Sequence, residues 1–378
     1  MSKKGISSIL IIAVALCAGI ALSVQTAQAV DVVKIGWYGP LSGSNAQDGQ
    51  AGKQGAELAR DLINASGGLN GRNLEIIFAD DKGDPKEGAN IATMFTSNKD
   101  IIGVVGPFNS SVMLAAAPIY NKAELCDIGW GVSSPMITTA GPAIFRVQFT
   151  DALGGDFVAK WMVEDEGFKN IAVVYENTDY GKGLFDVMEK SVPKYGGKIV
   201  ASASYMQGQT KDFSSIIASL KEKNPQAIFM GSVYNETALF AVQAKDLGFT
   251  APLFGTDGLF SNGLIDIGGA AVNGLRCFGV YHHEFKEPEV VAFVNEFQKK
   301  YSRLPGTWEA LSYDATMVMA QAIKDGNGKS RAEVKTALDS FKGYKGATGV
   351  IKFDENGDVQ KSFSKLVVKD GKFVPYYK

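Results

Sequence analysis

The sequence predicts an α/β protein made of two doubly wound units of similar size. Three observations carry that expectation. Runs rich in Val and Ile alternate with stretches whose apolar residues recur at helical spacing, the rhythm of a parallel sheet with helices on both faces. The rhythm pauses over residues 145–151 and then resumes. At 378 residues, with 46% hydrophobic and 21% charged, the chain is long enough for two substantial cores and too apolar for wholesale disorder.

The amino terminus is different in kind. Lys3 and Lys4 precede an apolar run over 6–22, and Ala27-Gln28-Ala29 makes a small-x-small cleavage site. This reads as a secretory leader over 1–29, with a membrane anchor as the alternative. Leu16 stands before Cys17 where a lipid-attachment site wants a small residue. Losing Lys3 and Lys4 with the leader takes the formal charge from −2 to −4. There is no basic block, so nucleic acid is not an expected partner.

The first unit opens with a strand at 32–38 and a loop, Gly39-Pro40-Leu41-Ser42-Gly43-Ser44. A helix over 52–63 stops at the breaker cluster Asn64-Ala65-Ser66-Gly67-Gly68. A strand at 73–80 follows, and Asp84-Pro85 opens the next helix with Pro in its first turn. Residues 101–135 then hold two strand exits in close succession. Ile101-Ile102-Gly103-Val104-Val105 leads into Phe108-Asn109-Ser110-Ser111, and Leu125-Cys126-Asp127-Ile128 leads into Trp130-Gly131-Val132-Ser133-Ser134-Pro135. Loops at the carboxyl ends of such strands collect ligands in open α/β sheets. Serines opening a helix offer hydroxyls and backbone N–H groups to a carboxylate. Ser110 and Ser133 therefore read either as half of an acid-binding site or as plain helix caps.

The second unit is expected to run helix 155–165, strand 171–175, helix 183–192, strand 198–205, helix 213–223, strand 227–231, helix 237–247 and a short strand 252–255. Asp257 follows that last strand, where it would meet a cation or cap the next helix. Tyr180, after the strand at 171–175, would close over a ligand or cover the surface. A strand at 275–281, helices at 288–301, 308–323 and 331–341, and short strands at 349–353, 364–369 and 372–377 complete the chain. The tail is read as returning to finish the two units already begun.

Several chemistries lack their residues. His282 and His283 are adjacent, and on a strand would point to opposite sides instead of converging on a metal. No Walker loop, paired-cysteine zinc motif or Gly-x-Ser-x-Gly elbow is present. Tyr180-Gly181-Lys182-Gly183 lacks the third glycine of a dinucleotide fingerprint. No enzyme activity, cofactor or metal is expected.

Gly39-Pro40-Leu41-Ser42-Gly43, Ala65-Ser66-Gly67-Gly68-Leu69-Asn70-Gly71-Arg72, Asp80-Asp81 with Asp84-Pro85, and Asp212-Phe213-Ser214 resemble the periplasmic leucine/isoleucine/valine-binding proteins, in that family's order. These are ligand-capturing subunits of ATP-driven importers. The resemblance spans about 32–374 and implies a type I periplasmic binding fold. Two Rossmann-like lobes would be joined by a three-crossing hinge, lobe 1 as 30–149 plus 281–361 and lobe 2 as 150–280 plus 362–378. It puts Cys126 and Cys277 in different lobes, as free thiols. It gives Ser110 and Ser133 the ligand carboxylate, the Gly131 carbonyl and Asp257 the ammonium, and Tyr180 the closing role.

Three residues depart from the branched-chain pattern in the side-chain half of the pocket. Asp48 stands where a large aromatic is usual, Val233 where Tyr is usual and Trp130 where Pro is usual. Asp48 either selects a polar or cationic side chain or faces solvent at the cleft mouth. The resemblance implies a periplasmic monomer that captures an amino acid and docks on the membrane permease of an ABC transporter. A freestanding sensor, or a binder of an amide, urea or aromatic acid, is the alternative.

Overall fold

The computed structural model describes residues 31–377; the leader reading falls outside them. Two separate sheets organise the chain. In the first, β1 (Val32–Gly39), β2 (Asn73–Asp80), β3 (Ile101–Val105), β4 (Asp127–Gly129) and β5 (Ile144–Arg146) are all parallel, in the order β2-β1-β3-β4-β5. Helices α1 (Ala46–Ala65), α2 (Pro85–Ser97) and α3 (Ser110–Lys122) connect them. Every residue of β3 is buried, as expected of a central parallel strand read as one apolar run. Asp84 caps α2 by accepting from the Lys86 N–H at 2.8 Å, with Pro85 in the first turn.

The chain then leaves through α4 (Asp151–Lys160), which continues into a π-helical turn, Trp161–Asp165. The second sheet takes β6 (Asn170–Glu176), β7 (Lys198–Tyr205), β8 (Ala227–Gly231), β9 (Leu253–Gly255) and β10 (Arg276–Gly279) in parallel. Between them run α5 (Asp179–Lys194), α6 (Ser214–Lys223), α7 (Tyr234–Asp246) and α8 (Asn262–Gly268). Helix α5 starts earlier than its apolar spacing suggests, because Thr178 Oγ1 accepts from the Gly181 N–H at 3.1 Å and caps it. That cap puts Tyr180 in the first turn.

After β10 the chain returns to the first sheet. There α9 (Pro288–Tyr301) and α10 (Thr307–Asp325) pack on α1, and α11 (Arg331–Asp339) lies against β3. A hairpin of β11 (Tyr344–Gly346) and β12 (Gly349–Ile351) follows. A third passage brings β13 (Ser364–Lys369) and β14 (Lys372–Pro375) to the second sheet, β13 antiparallel to β10 and β14 antiparallel to β13. The tail thus finishes both lobes. Cys126 and Cys277 are free and buried, one beside β4 and one in β10. His282 and His283 lie beyond the end of β10, where strand alternation no longer applies, and their rings stack with centroids 4.4 Å apart instead of pointing apart.

The lobes touch. Ser111 Oγ accepts from the Asp179 N–H at 3.0 Å, and Ser134 Oγ donates to the Asp179 carbonyl at 3.2 Å. Tyr234 donates to the Ser44 carbonyl at 3.3 Å. Ser261 Oγ donates to Asp48 Oδ1 at 2.7 Å. Burial in this contact pushes the Asp48 carboxyl up to about 8 against the bond from Ser261, and Glu309 raises it further; the Tyr234 phenol also faces it.

The folded value lies above the ordinary 3.8, so the folded chain keeps a proton that the unfolded chain releases. The contribution of Asp48 to stability is complete below the ordinary carboxylate range and is lost as pH rises towards about 8. Measured by urea unfolding, the wild type should lose up to about 1.4 kcal/mol per pH unit relative to Asp48→Asn across that window. A difference that does not move with pH would mean that Asp48 is solvated in solution.

Candidate functional site

The carboxyl ends of both parallel sheets face each other across a cavity of about 230 Å³. The first lobe contributes Phe108, Asn109, Ser110 and Ser111 after β3, Gly131 and Ser133 after β4, and Trp308 from the first turn of α10. The second lobe contributes Glu176 and Tyr180 around the start of α5, Val233 after β8, and Asp257 and Gly258 after β9. Six residues singled out from sequence, Ser110, Gly131, Ser133, Tyr180, Val233 and Asp257, therefore line one cavity.

The local geometry decides between capping and exposure for several of them. Asn109, not Ser110, occupies the N-cap of α3, and the Ser110 hydroxyl accepts from the Ser134 N–H at 3.3 Å. Ser134 caps the short turn Pro135–Thr139, while Ser133 Oγ donates to Asp151 Oδ2 at 3.0 Å. Asp257 does not cap the following helix either; Ser261 does, accepting from the Gly263 N–H at 3.3 Å. Tyr180 pairs its hydroxyl with Thr256 Oγ1 at 2.7 Å. A Cβ on Gly131 would fall 2.7 Å from the Phe108 ring, so the two loops of the first lobe approach this closely only because residue 131 has none.

The cavity is electrostatically one-sided. Asp257 and Glu176 both line it, and no lysine, arginine or histidine does among the described residues. Burial pushes Asp257 up to about 7, opposed by hydrogen bonds that include one from Gln148, and pushes Glu176 up to about 8, opposed by Thr178 and the Val233 N–H. Asp151, fully buried, is raised by burial and then by the charge of Asp257. Its Oδ1 has no hydrogen-bond partner. A positive group placed among these three acids would favour their ionised forms. The cavity is also lined by Ser110 and Ser111, the first residues of α3, and by Ser133; a helix amino end with hydroxyls favours an anion.

Two expected residues are not among the lining. Asp48 is turned to Ser261 of the other lobe and is 2% exposed. Trp130 is fully buried, stacked on Trp37 with ring centroids 5.7 Å apart. Its ring fills the space above Gly52, where a Cβ would come within 2.7 Å of it. Phe108 and Trp308, which do line the cavity, pack against Trp130 at 5.4 and 6.5 Å. The aromatic surface offered to a ligand is therefore theirs.

Sequence reading missed Asp151, Glu176, Phe108 and Trp308. Asp151 closes the pause at 145–151, directly after the Thr150 cap, a signal present in the sequence. Trp308 comes from a helix some two hundred residues from the serines, and nothing local marks it. Among the described residues no cluster of three or more His, Cys, Asp or Glu is placed to hold a metal ion.

Residues 32–372 match the profile of the periplasmic binding protein family. A Leu/Ile/Val-binding protein homolog of Brucella melitensis is 32% identical over 84% of this chain and 85% of its own. A leucine-, isoleucine-, valine-, threonine- and alanine-binding protein of Pseudomonas aeruginosa is 31% identical over 88% of each chain. Among solved structures, the branched-chain amino acid transporter substrate-binding protein LivJ of Streptococcus pneumoniae, in complex with isoleucine, superposes with a TM-score of 0.85 at 28% identity, covering 92% of this chain and 100% of that one. With its two parallel-sheet lobes and the cavity between them, this chain belongs to the periplasmic binding protein family.

Proposed function

We propose that this chain is the solute-binding subunit of an ABC importer, and that it captures an amino acid of the branched-chain or a related kind between its lobes. The observation that carries the reading is the polarity of the cavity: hydroxyls and a helix amino end on one lobe, buried carboxylates on the other, and no basic side chain in the described lining. A zwitterion matches both halves. Ser110, through its hydroxyl and backbone N–H, and Ser133, through its backbone N–H, take the carboxylate. The Gly131 carbonyl and Asp257 take the ammonium, with Asp151 behind Ser133 adding to the negative field. Val233, Phe108 and Trp308 offer apolar surface to the side chain.

Capture is by closure. The ligand docks on the first lobe, and the second brings in Tyr180 and Asp257 as the contacts at Asp179 and Ser261 form. The closed protein then presents its ligand, outside the cytoplasmic membrane, to a permease. No bond is made or broken, so the chain acts as a carrier and not as an enzyme.

A thermal-shift screen of ligand-free protein tests the reading. Leucine, isoleucine, valine, smaller amino acids, amides, urea and aromatic acids form the panel. A true ligand at about a hundred times its dissociation constant should add about 2.7 kcal/mol of stability. Response to an amide or aromatic acid alone would overturn the amino-acid assignment. For any amino acid that binds, Asp257→Ala should weaken affinity several hundredfold or more by calorimetry. Stranding a buried charge typically costs about 3–5 kcal/mol, and every 1.4 kcal/mol or so is tenfold in affinity. Unchanged affinity would remove Asp257 from the ammonium subsite.

A further inference from the structure

We infer that Gln148, on the first passage between the lobes, is a positioning residue that holds the Asp257 carboxylate ready for a ligand ammonium. The inference rests on the amino-acid reading of the cavity. Gln148 is fully buried and does not line the cavity. Its Nε2 donates to Asp257 Oδ2 at 2.6 Å, and its Oε1 accepts from the Phe149 N–H at 3.2 Å. The second bond fixes which end of the amide faces the acid. Reversed, the amide would set its oxygen against a carboxylate oxygen and lose both bonds.

The kind of donor matters. A lysine or arginine here would neutralise Asp257 and compete with the ligand for it. An amide stabilises the ionised carboxylate without adding charge, so the negative charge stays available to the cavity. The donor is needed because the surroundings oppose ionisation. Burial pushes Asp257 towards the protonated form, and the charged or titratable groups that interact with it are Asp151 from α4, the Tyr180 phenol from α5 and the Cys277 thiol from β10. Arg146 lowers Asp151, while Glu176 raises it. Without Gln148, Asp257 would have only local backbone bonds to set against its burial.

The placement also answers a question of reach. Asp is one methylene shorter than Glu, so its reach to a ligand depends on where its carboxyl is held. A shorter acid held from behind by a residue of the hinge passage has few orientations left, so little freedom is lost when the ligand arrives. Gln148 thereby couples the hinge to the subsite: it sits two residues past Arg146, the last of β5, and two before Thr150, the cap of α4.

The test uses Gln148→Met, which keeps length and removes the donor, and Gln148→Glu, which keeps a polar group of the same size. Calorimetric affinity for L-isoleucine or L-leucine is followed from pH 5 to 9. In the wild type binding should weaken on the acid side, as Asp257 protonates. In Gln148→Met that acid limb should move up by about one pH unit, with affinity at pH 7 down about tenfold or more. Gln148→Glu should also move the acid limb up, because the two carboxyls share a proton that leaves the pair only at higher pH. A uniform loss with the acid limb unmoved would make Gln148 merely structural and overturn the inference, as would unchanged affinity.

The carboxyl carbon of Asp257, assigned through Asp257→Asn and titrated by NMR without ligand, gives an independent readout. It should titrate higher in Gln148→Met than in the wild type, whether or not any amino acid binds. Coincident titrations refute the positioning role. Failure of the wild type to bind amino acids, with the titrations separated, refutes only the ligand reading.

Discussion

Buried acids facing an interlobe cavity, with no basic side chain in its lining among the described residues, are the constraint on which the rest of this structure depends. Asp257 and Glu176 line the space and Asp151 stands behind Ser133. Ionised carboxylates in so buried a place cost free energy unless a positive group or several hydrogen bonds meet them. The protein supplies hydrogen bonds: Gln148 to Asp257, Thr178 and the Val233 N–H to Glu176, Ser133 to Asp151. It leaves the positive charge to come from elsewhere. That division is what the proposed capture of an ammonium-bearing ligand rests on.

The fold puts the constraint where it is. Parallel strands deliver their carboxyl ends to one edge of each sheet, and the loops leaving those ends carry the lining residues. Because the chain passes between the sheets three times, the two edges face each other and the hinge segments run close to the site. The first passage brings Gln148 to Asp257 and, at its end, Asp151 to Ser133. The first segment that joins the lobes is therefore the one that reaches these acids. The lobes also touch outside the cavity, at Ser44, Asp48 and Asp179.

Much of this was legible in the sequence, and the limits follow from physics. Strand and helix rhythm marked both lobes, since buried parallel strands and amphipathic helices carry distinct periods. Ser110, Ser133 and Asp257, which line the cavity, stood out because each lies within five residues of the end of a strand. What local pattern cannot express is which way a side chain turns once a distant element is packed on it. Trp130 sits next to Gly131, yet its ring is drawn back onto Trp37 above Gly52, and Phe108 and Trp308 receive the cavity face. Trp308 arrives from α10, brought there by packing of α10 on α1. The histidine pair misled for a related reason: alternation holds only while the strand lasts, and β10 ends at Gly279.

Asp48 and Asp257 show how one residue type divides into two roles. From sequence both are acids that could face the cleft. In the structure both are about equally buried, and burial raises both. Their partners separate them. Asp48 receives one hydroxyl, has Glu309 as a neighbour and leaves Oδ2 without a hydrogen-bond partner, surroundings that favour its neutral form. Asp257 receives the Gln148 amide and local backbone donors, which pull towards ionisation. An acid kept neutral can join two lobes without demanding a counter-charge. An acid kept close to ionisation can hold an ammonium. The donor set, not the side chain or its depth, separates the interlobe clasp from the acid proposed for the ammonium subsite.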